Sequence, residues 1–357
     1  MARDNFSNDR RATITDVARE AGTDKPSISR YLNGETGVLS TELREHIEKV
    51  IAKLDYRTNQ MAHGLKRGRN RLVGMLVADL TNPYSVEVLQ GVEAACHAGY
   101  MLLICHAANE VDLERRYLQL LTTYRVEGVI VNALGLKEDT LESLTRGGVP
   151  VVLVNHAVER LVTDMVGLDN TEAVRMAIRH LVSQGFDELL FVVQPYAQVS
   201  SRRVREAAFL DTIGVLGVSK VSGATIVLDL DNDETLVEID ARIDAAQRQN
   251  RRIALFAANA PVALRVALHL KDRHGVDWQR RVALMSIDDS EWAELAGMTT
   301  VRQPTYTIGE CAVEFLHERI EGTVVAAREC LLLGEVVVRA STSTTVPSQR
   351  IMAAHSS

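Results

Sequence analysis

The chain has 357 residues, 46% apolar but only 4% aromatic, so it can bury a large aliphatic core and exceeds one ordinary domain. Its four cysteines, Cys96, Cys105, Cys311 and Cys330, show no Cys-x-x-Cys or Cys/His ligand spacing, which argues against a disulfide scaffold or a zinc site, and no apolar run approaches membrane-spanning length. Net charge is −7, yet 14 of the 40 basic and only 10 of the 47 acidic residues fall within residues 1–71, leaving 26 against 37 beyond; a basic head on an acidic body suggests a nucleic-acid-binding module joined to something else.

Residues 1–11 are polar and read as a disordered tail. With no apolar h-region at the start, the chain is expected to be cytoplasmic. Residues 12–57 carry three short helical stripes that make one small core. Ile14, Val17, Ala18 and Ala21 form the first, Ile28 and Leu32 the second, and Leu43, Ile47, Val50, Ile51 and Leu54 the third, with Ser40 as its N-cap. Gly22 lies between the first two stripes, where a turn needs positive φ, and Asp24 and Pro26 suit the N-cap and first turn of the second helix. That helix presents Lys25, Ser27, Ser29 and Arg30 outward. Lys and Arg can pair with guanine edges and serine hydroxyls can contact phosphates, so the pattern fits a helix-turn-helix in a major groove.

The stretch Thr13–Asn33, TITDVAREAGTDKPSISRYLN, closely resembles the head of the LacI/GalR repressor family, roughly T-I-x-D-V-A-x-x-A-G-V-S-x-x-T-V-S-R-x-L-N. Thr23, Asp24 and Ser27 depart from it, and Asp24 places a negative charge near phosphates. The resemblance implies that Lys25, Pro26 and Arg30 face base edges, with Thr13, Ser27, Ser29 and Asn33 completing the contact set. Residues 58–71 read as hinge helix and linker. Leu54-Asp55-Tyr56-Arg57-Thr58-Asn59 resembles the family's L-G-Y-x-P-N, with Thr58 in place of proline, and Met61–Leu65 resembles its hinge helix. Ala62 and Leu65 are thereby implied to enter the minor groove, Leu65 as a wedge that kinks the duplex, while Lys66, Arg67, Arg69 and Arg71 bind phosphates.

From Leu72 short apolar runs alternate with amphipathic stretches. Strands are predicted at Leu72–Ala78, Met101–Cys105, Val129–Val131, Val151–Val154, Leu189–Val193, Thr225–Leu228, Ile253–Ala257 and Val282–Ile287. Helices between them are predicted at Ser85–His97, Glu110–Tyr124, Glu172–Gln184, Arg203–Ile213, Thr235–Gln249, Pro261–Arg273 and Ile308–Ile320. The fold class is therefore α/β: an all-α helix-turn-helix head followed, over residues 72–345, by two lobes of doubly wound parallel sheet that bind a ligand at their strand ends and carry the dimer contacts. Residues 346–357 read as a flexible tail without the heptads of a tetramerising coiled coil.

The resemblance extends through the body. Asn82-Pro83-Tyr84 is similar to the family's N-P-F/Y turn, and Glu335–Thr342 to its terminal strand. It implies a body like a periplasmic sugar-binding protein, with two lobes around a cleft and three chain crossings. The effector residues it implies are Tyr84, Asn155, Arg205, Asn259, Asp288 and Gln303. Asn155 stands where many relatives carry aspartate, and Ala260 replaces another. Losing a carboxylate while keeping Arg205 favours an anionic effector, so a sugar acid is expected over a neutral sugar, in line with a general likeness to 2-ketogluconate-utilisation repressors. The expected partners are double-stranded operator DNA, a small sugar or sugar-acid effector and a second copy of the chain, with no cofactor, metal or membrane. Effector release from a palindromic operator is expected, with co-repression as the alternative. A cytoplasmic solute-binding protein shares the body, but has no use for the head. An enzyme is disfavoured: no phosphate loop, nucleophile elbow or metal cluster appears, and His106 and His156 show no partner spacing.

Overall fold

The computed structural model describes residues 12–56, 69–97, 99–133, 138–155, 162–195, 200–216, 221–230 and 232–343. They belong to two compact units, residues 1–70 and 71–357. The expected tails and the hinge helix at Met61–Leu65 lie outside the described residues.

Among the described residues the head has three α-helices, α1 (Ile14–Glu20), α2 (Lys25–Leu32) and α3 (Thr41–Lys53). Their ends are fixed locally. Thr13 and Asp16 form a reciprocal capping box at α1, with the Thr13 amide donating to Asp16 Oδ2 at 2.9 Å. Asp24 accepts the Ser27 amide at 2.9 Å, and Ser40 accepts that of Leu43 at 3.2 Å. Gly22 turns the chain at φ 59°, where a Cβ is strained. Val17, Ala18, Ala21, Ile28, Ile47 and Val50 bury together. The two alanines let α1 approach α2 closely, as the stripes predict.

Among the described residues the body has twelve strands, where apolar runs predict eight and the resemblance a ninth over Glu335–Thr342. One sheet has the order β11-β5-β4-β3-β1-β2, built from β1 (Leu72–Val77), β2 (Met101–His106), β3 (Gly128–Asn132), β4 (Val151–Val154), β5 (Asp164–Leu168) and β11 (Glu329–Leu332). The other repeats the pattern as β12-β10-β9-β8-β6-β7, from β6 (Glu188–Val193), β7 (Ser222–Val227), β8 (Ile253–Ala257), β9 (Ala283–Ile287), β10 (Thr299–Arg302) and β12 (Glu335–Val337). Every pairing is parallel except β10 with β12. Central strands β1, β3, β8 and β9 are buried throughout, as expected of parallel strands covered by helices on both faces. The expected strand over Glu335–Thr342 is shorter: it ends at Val337, and Ala340–Thr342 forms a 3₁₀ turn whose Ser341 and Thr342 side chains bond into β9 and β10.

Between the strands run α4 (Pro83–Cys96), α5 (Val111–Thr123), α6 (Glu138–Arg146), α7 (Asn170–Ser183), α8 (Ser200–Leu216), α9 (Glu234–Arg248), α10 (Ala260–His274), α11 (Glu291–Leu295) and α12 (Thr305–Ile320). Sheet membership gives three passages between lobes: β5 to α7, β10 to α12, and β11 to β12. The expected three crossings are therefore present. The second passage is tightly welded. A Cβ on Gly91 of α4 would lie 2.1 Å from the Tyr306 carbonyl oxygen, and one on Gly309 of α12 2.3 Å from that of Val88, so only glycine permits this crossing.

Candidate nucleic-acid interface and ligand cleft

On α2, Ile28 is fully buried and fixes which side faces in. At about 100° per residue, the opposite side centres on Pro26, Arg30 and Asn33, with Ser27 and Ser29 on its flanks. Lys25, Pro26 and Arg30 are exposed, and Ser27, Ser29 and Asn33 half-buried. Of the outward set named from sequence, Arg30 with Ser27 and Ser29 lies around this surface, whereas Lys25 falls about 60° from Ile28 and is exposed at the start of the helix. Thr13 is exposed but spends its hydroxyl on Asp16 Oδ2 at 2.6 Å, within the cap. Hydrogen bonds from Ser27 hold the Asp24 carboxyl below its ordinary range, so this cap stays ionised beside any phosphate. Ala62, Leu65 and Lys66 lie outside the described residues. Arg71, also expected at phosphates, is tied into the body: its amide donates to Glu127 Oε1 at 2.6 Å.

The cleft residues sit where the strands of both sheets end. Arg205 projects from α8 and is 4% exposed. Its Nε donates to Asn170 Oδ1 at 2.6 Å and its Nη1 to the Ala258 carbonyl at 2.5 Å. Four residues on, Phe209 is buried against Phe191 of β6, ring centroids 5.3 Å apart, and anchors the helix face that aims Arg205. Asn259 caps α10 through the Val262 amide at 3.1 Å and donates to Gln194 Oε1 at 2.8 Å. Asp288 accepts the Ala260 amide at 3.0 Å and the Gln303 side-chain amide. Arg205, Asn259, Asp288 and Gln303 therefore belong to one framework of bonds in the second lobe.

Tyr84 enters from the other lobe, in the first turn of α4, where Asn82 caps the helix and Pro83 follows. It is buried within electrostatic reach of both Asp288 and Arg205, and burial pushes its phenol up. Burial likewise lowers Arg205, while Asp288 opposes that effect. Tyr84, Glu87, Asp288, Ser290, Arg302 and Gln303 help line a small cavity between the lobes.

Asn155 and Asp288 are topological counterparts, one per lobe. Asn155 follows β4 with φ 63° and donates its amide to Val166 of β5 at 2.9 Å. Asp288 follows β9 with φ 81° and donates to Val301 of β10 at 3.0 Å. Asn and Asp tolerate this left-handed conformation better than most side chains. No side-chain bond joins Asn155 to the other five named residues among those described. Around the cleft, four buried polar atoms have no hydrogen-bond partner among the described residues: Tyr84 Oη, Asn155 Oδ1, Ser290 Oγ and Gln303 Oε1. Unsatisfied buried polar groups are costly and mark places where a hydroxylated ligand gains bonds.

Sequence reasoning missed Asn170, Gln194, Arg202 and Ser290. Arg202 had a signal, since it lies three residues before Arg205 and shares its helix side. The others are polar residues at strand or helix ends, which sequence alone assigns to capping. Among the described residues no helix is long and apolar enough to cross a membrane.

Two family patterns match the chain. Residues 13–59 match bacterial regulatory proteins of the lacI family, and residues 70–308 match periplasmic binding proteins and the sugar binding domain of the LacI family. The HTH-type transcriptional regulator PtxS of Pseudomonas aeruginosa is 42% identical over 335 residues, 93% of this chain and 96% of PtxS. The HTH-type transcriptional regulator KdgR of Bacillus subtilis is 32% identical over 333 residues, 92% of this chain and 97% of KdgR. Among solved structures, the lac repressor dimer bound to operator and the anti-inducer ONPF is similar in fold, with a TM-score of 0.76 at 19% identity over 94% of this chain and all of that one.

Proposed function

The chain belongs to the lacI family of bacterial regulatory proteins and is a DNA-binding transcriptional repressor, not an enzyme; from this premise we propose that a sugar acid, of which 2-ketogluconate is the type, fills its cleft and releases a cytoplasmic homodimer from a palindromic operator. The observation that carries the effector class is the buried Arg205, bonded only to neutral atoms among the described residues and facing a cleft whose first-lobe counterpart of Asp288 is the uncharged Asn155. A guanidinium is the strongest side-chain partner for a carboxylate, and one fewer acidic group removes repulsion.

For the head we propose that Lys25, Pro26 and Arg30 meet base edges, that Thr13, Ser27, Ser29 and Asn33 lie along the backbone, and that Ala62, Leu65 and Lys66 follow in the minor groove. Two heads double these contacts, which is what a self-complementary operator rewards. Self-association is supported by apolar side chains left facing solvent. Met101 and Ile104 lie on the edge strand β2, and Leu264 and Leu268 lie one turn apart on α10.

Effector binding changes DNA affinity only if the two lobe arrangements bind it unequally, and such couplings are typically about 1–3 kcal/mol. The test is retardation of promoter fragments at fixed moderate salt, alone and with millimolar 2-ketogluconate, gluconate or glucose. We expect retention of a specific fragment and its release by an acid but not by glucose. Release by glucose alone overturns the effector class. Tighter retention with an acid overturns release in favour of co-repression.

A further inference from the structure

We propose that Arg202 acts with Arg205 as a two-guanidinium cradle for the effector's carboxylate, and that Arg202 sets the preference for an acid over the matching neutral sugar. The inference rests on reading the cleft as the effector site and assigns within it a residue that sequence reasoning had left out.

Arg202 lies in the first turn of the seventeen-residue α8 and Arg205 one turn further. Arg202 Nη1 donates to the Pro195 carbonyl at 2.6 Å and Nη2 to Gln194 Oε1 at 3.1 Å. Gln194 Oε1 also accepts from Asn259, and Arg205 grips the carbonyl of Ala258, the residue before it. Both guanidinia are thereby pinned to the ends of β6 and β8, at the cleft wall. These three acceptors and Asn170, the other partner of Arg205, are all neutral. Two like charges held side by side repel, and burial together with Arg205 depresses the pKa of Arg202. The nearby carboxylate is Asp288, and its two oxygens already serve the Ala260 amide and Gln303. Among the described residues these two cations share one carboxylate, which acts on Arg205, within a body that is otherwise strongly acidic.

A carboxylate resolves this imbalance. It offers about four lone-pair sites, and each arginine has five N–H groups, of which the bonds above occupy two. The start of α8 adds its own partial positive charge. Neutral hydroxyls gain far less from such a site, so the cradle selects acids over sugars.

The test uses the full-length chain and calorimetry with two probes, 2-ketogluconate and D-fructose, which differ only in a carboxylate or a hydroxymethyl at C1. The unaltered chain is expected to favour the acid at least tenfold. Arg202→Gln should weaken 2-ketogluconate by about 10- to 100-fold while leaving fructose within about twofold, as expected for a charge-assisted contact. Arg202→Lys, which keeps the charge but not the fork, should fall between. An unaltered chain that prefers no acid, here or with gluconate, overturns the reading of the cleft and this inference with it. A preference retained in full by both variants overturns the role of Arg202 alone. A loss of fructose binding equal to that of the acid does the same, because it marks a structural effect.

Discussion

Tyr84 and Asp24 show how single residues here trade stability against binding. The Tyr84 hydroxyl is buried without a partner among the described residues, beside Arg205 and Asp288. Removing a buried unsatisfied group costs the free protein nothing and can stabilise it. Tyr84→Phe is therefore expected to leave the melting temperature unchanged or slightly higher, while effector affinity falls about fivefold or more. Loss of stability with unchanged affinity contradicts this, and thermal unfolding paired with calorimetry reads both. Asp24 caps α2 through Ser27 and sets an ionised carboxylate at the start of the helix proposed to meet DNA. Serine can cap equally well without the charge. Asp24→Ser should keep head stability and tighten operator binding severalfold, with the gain shrinking as salt rises; a gain independent of salt would count against electrostatic repulsion as its cause.

At the scale of elements, α8 is the part on which the cleft depends, because Phe209 seats the same helix that carries Arg202 and Arg205. Phe209→Ala removes a fully buried ring and is expected to cost about 3–5 kcal/mol, read as a lowered denaturant midpoint of the body. Gly309→Ala presses a methyl into backbone atoms at the α4–α12 crossing and should cost about 1–3 kcal/mol. A cost near zero in either variant means that the packing described is looser than drawn. The sequence made the alternation of strand and helix legible wherever a strand was a pure apolar run, as in β1, β4, β8 and β9. It hid β5 and β11 and read β7 short, for physical reasons. β5 begins with Asp164 and contains Gly167, whose missing Cβ leaves room for the Asn155 backbone. β7 was read from Thr225, three residues late, because Gly223 gives up its side chain to make space for Phe209 and Ile213. β11 alternates exposed and half-buried residues at a sheet edge, which gives a weak apolar signal. The helix-turn-helix was legible to single caps, since Gly22, Asp24 and Ser40 act locally. Arg205, Asn259, Asp288 and Gln303 were legible through family resemblance, whereas Gln194 and Asn170 become visible only when the strand ends meet.

In the first lobe, one buried carboxylate ties together the three elements that adjoin the crossings, at their ends away from the crossings. Asp164, fully buried at the start of β5, accepts from Arg319 of α12 and from Arg328 just before β11, at 2.9 to 3.0 Å. These are the elements next to the first, second and third passages between lobes. Burial alone would raise the Asp164 pKa, but the bonds from Arg319 and Arg328 outweigh it and hold the carboxyl well below its ordinary range. A depressed carboxylate pKa stabilises the fold above the unfolded value, near 4, and that contribution fades as pH falls. The body should therefore lose stability progressively below about pH 4, and Asp164→Asn should be less stable at neutral pH by about 3 kcal/mol with a flatter acid limb. An unchanged acid limb in that variant would assign acid lability to other groups. The central proposal is that occupancy of the cleft loosens the grip of the head on operator DNA. Linkage makes this reciprocal: whatever factor the effector costs operator affinity, operator must cost effector affinity. The most direct measurement is the dissociation constant of 2-ketogluconate for the free protein and for the protein saturated with operator, at one salt concentration. The account predicts weaker binding to the complex, by about 5- to 150-fold. Equal affinity in the two states, or tighter binding to the complex, contradicts it.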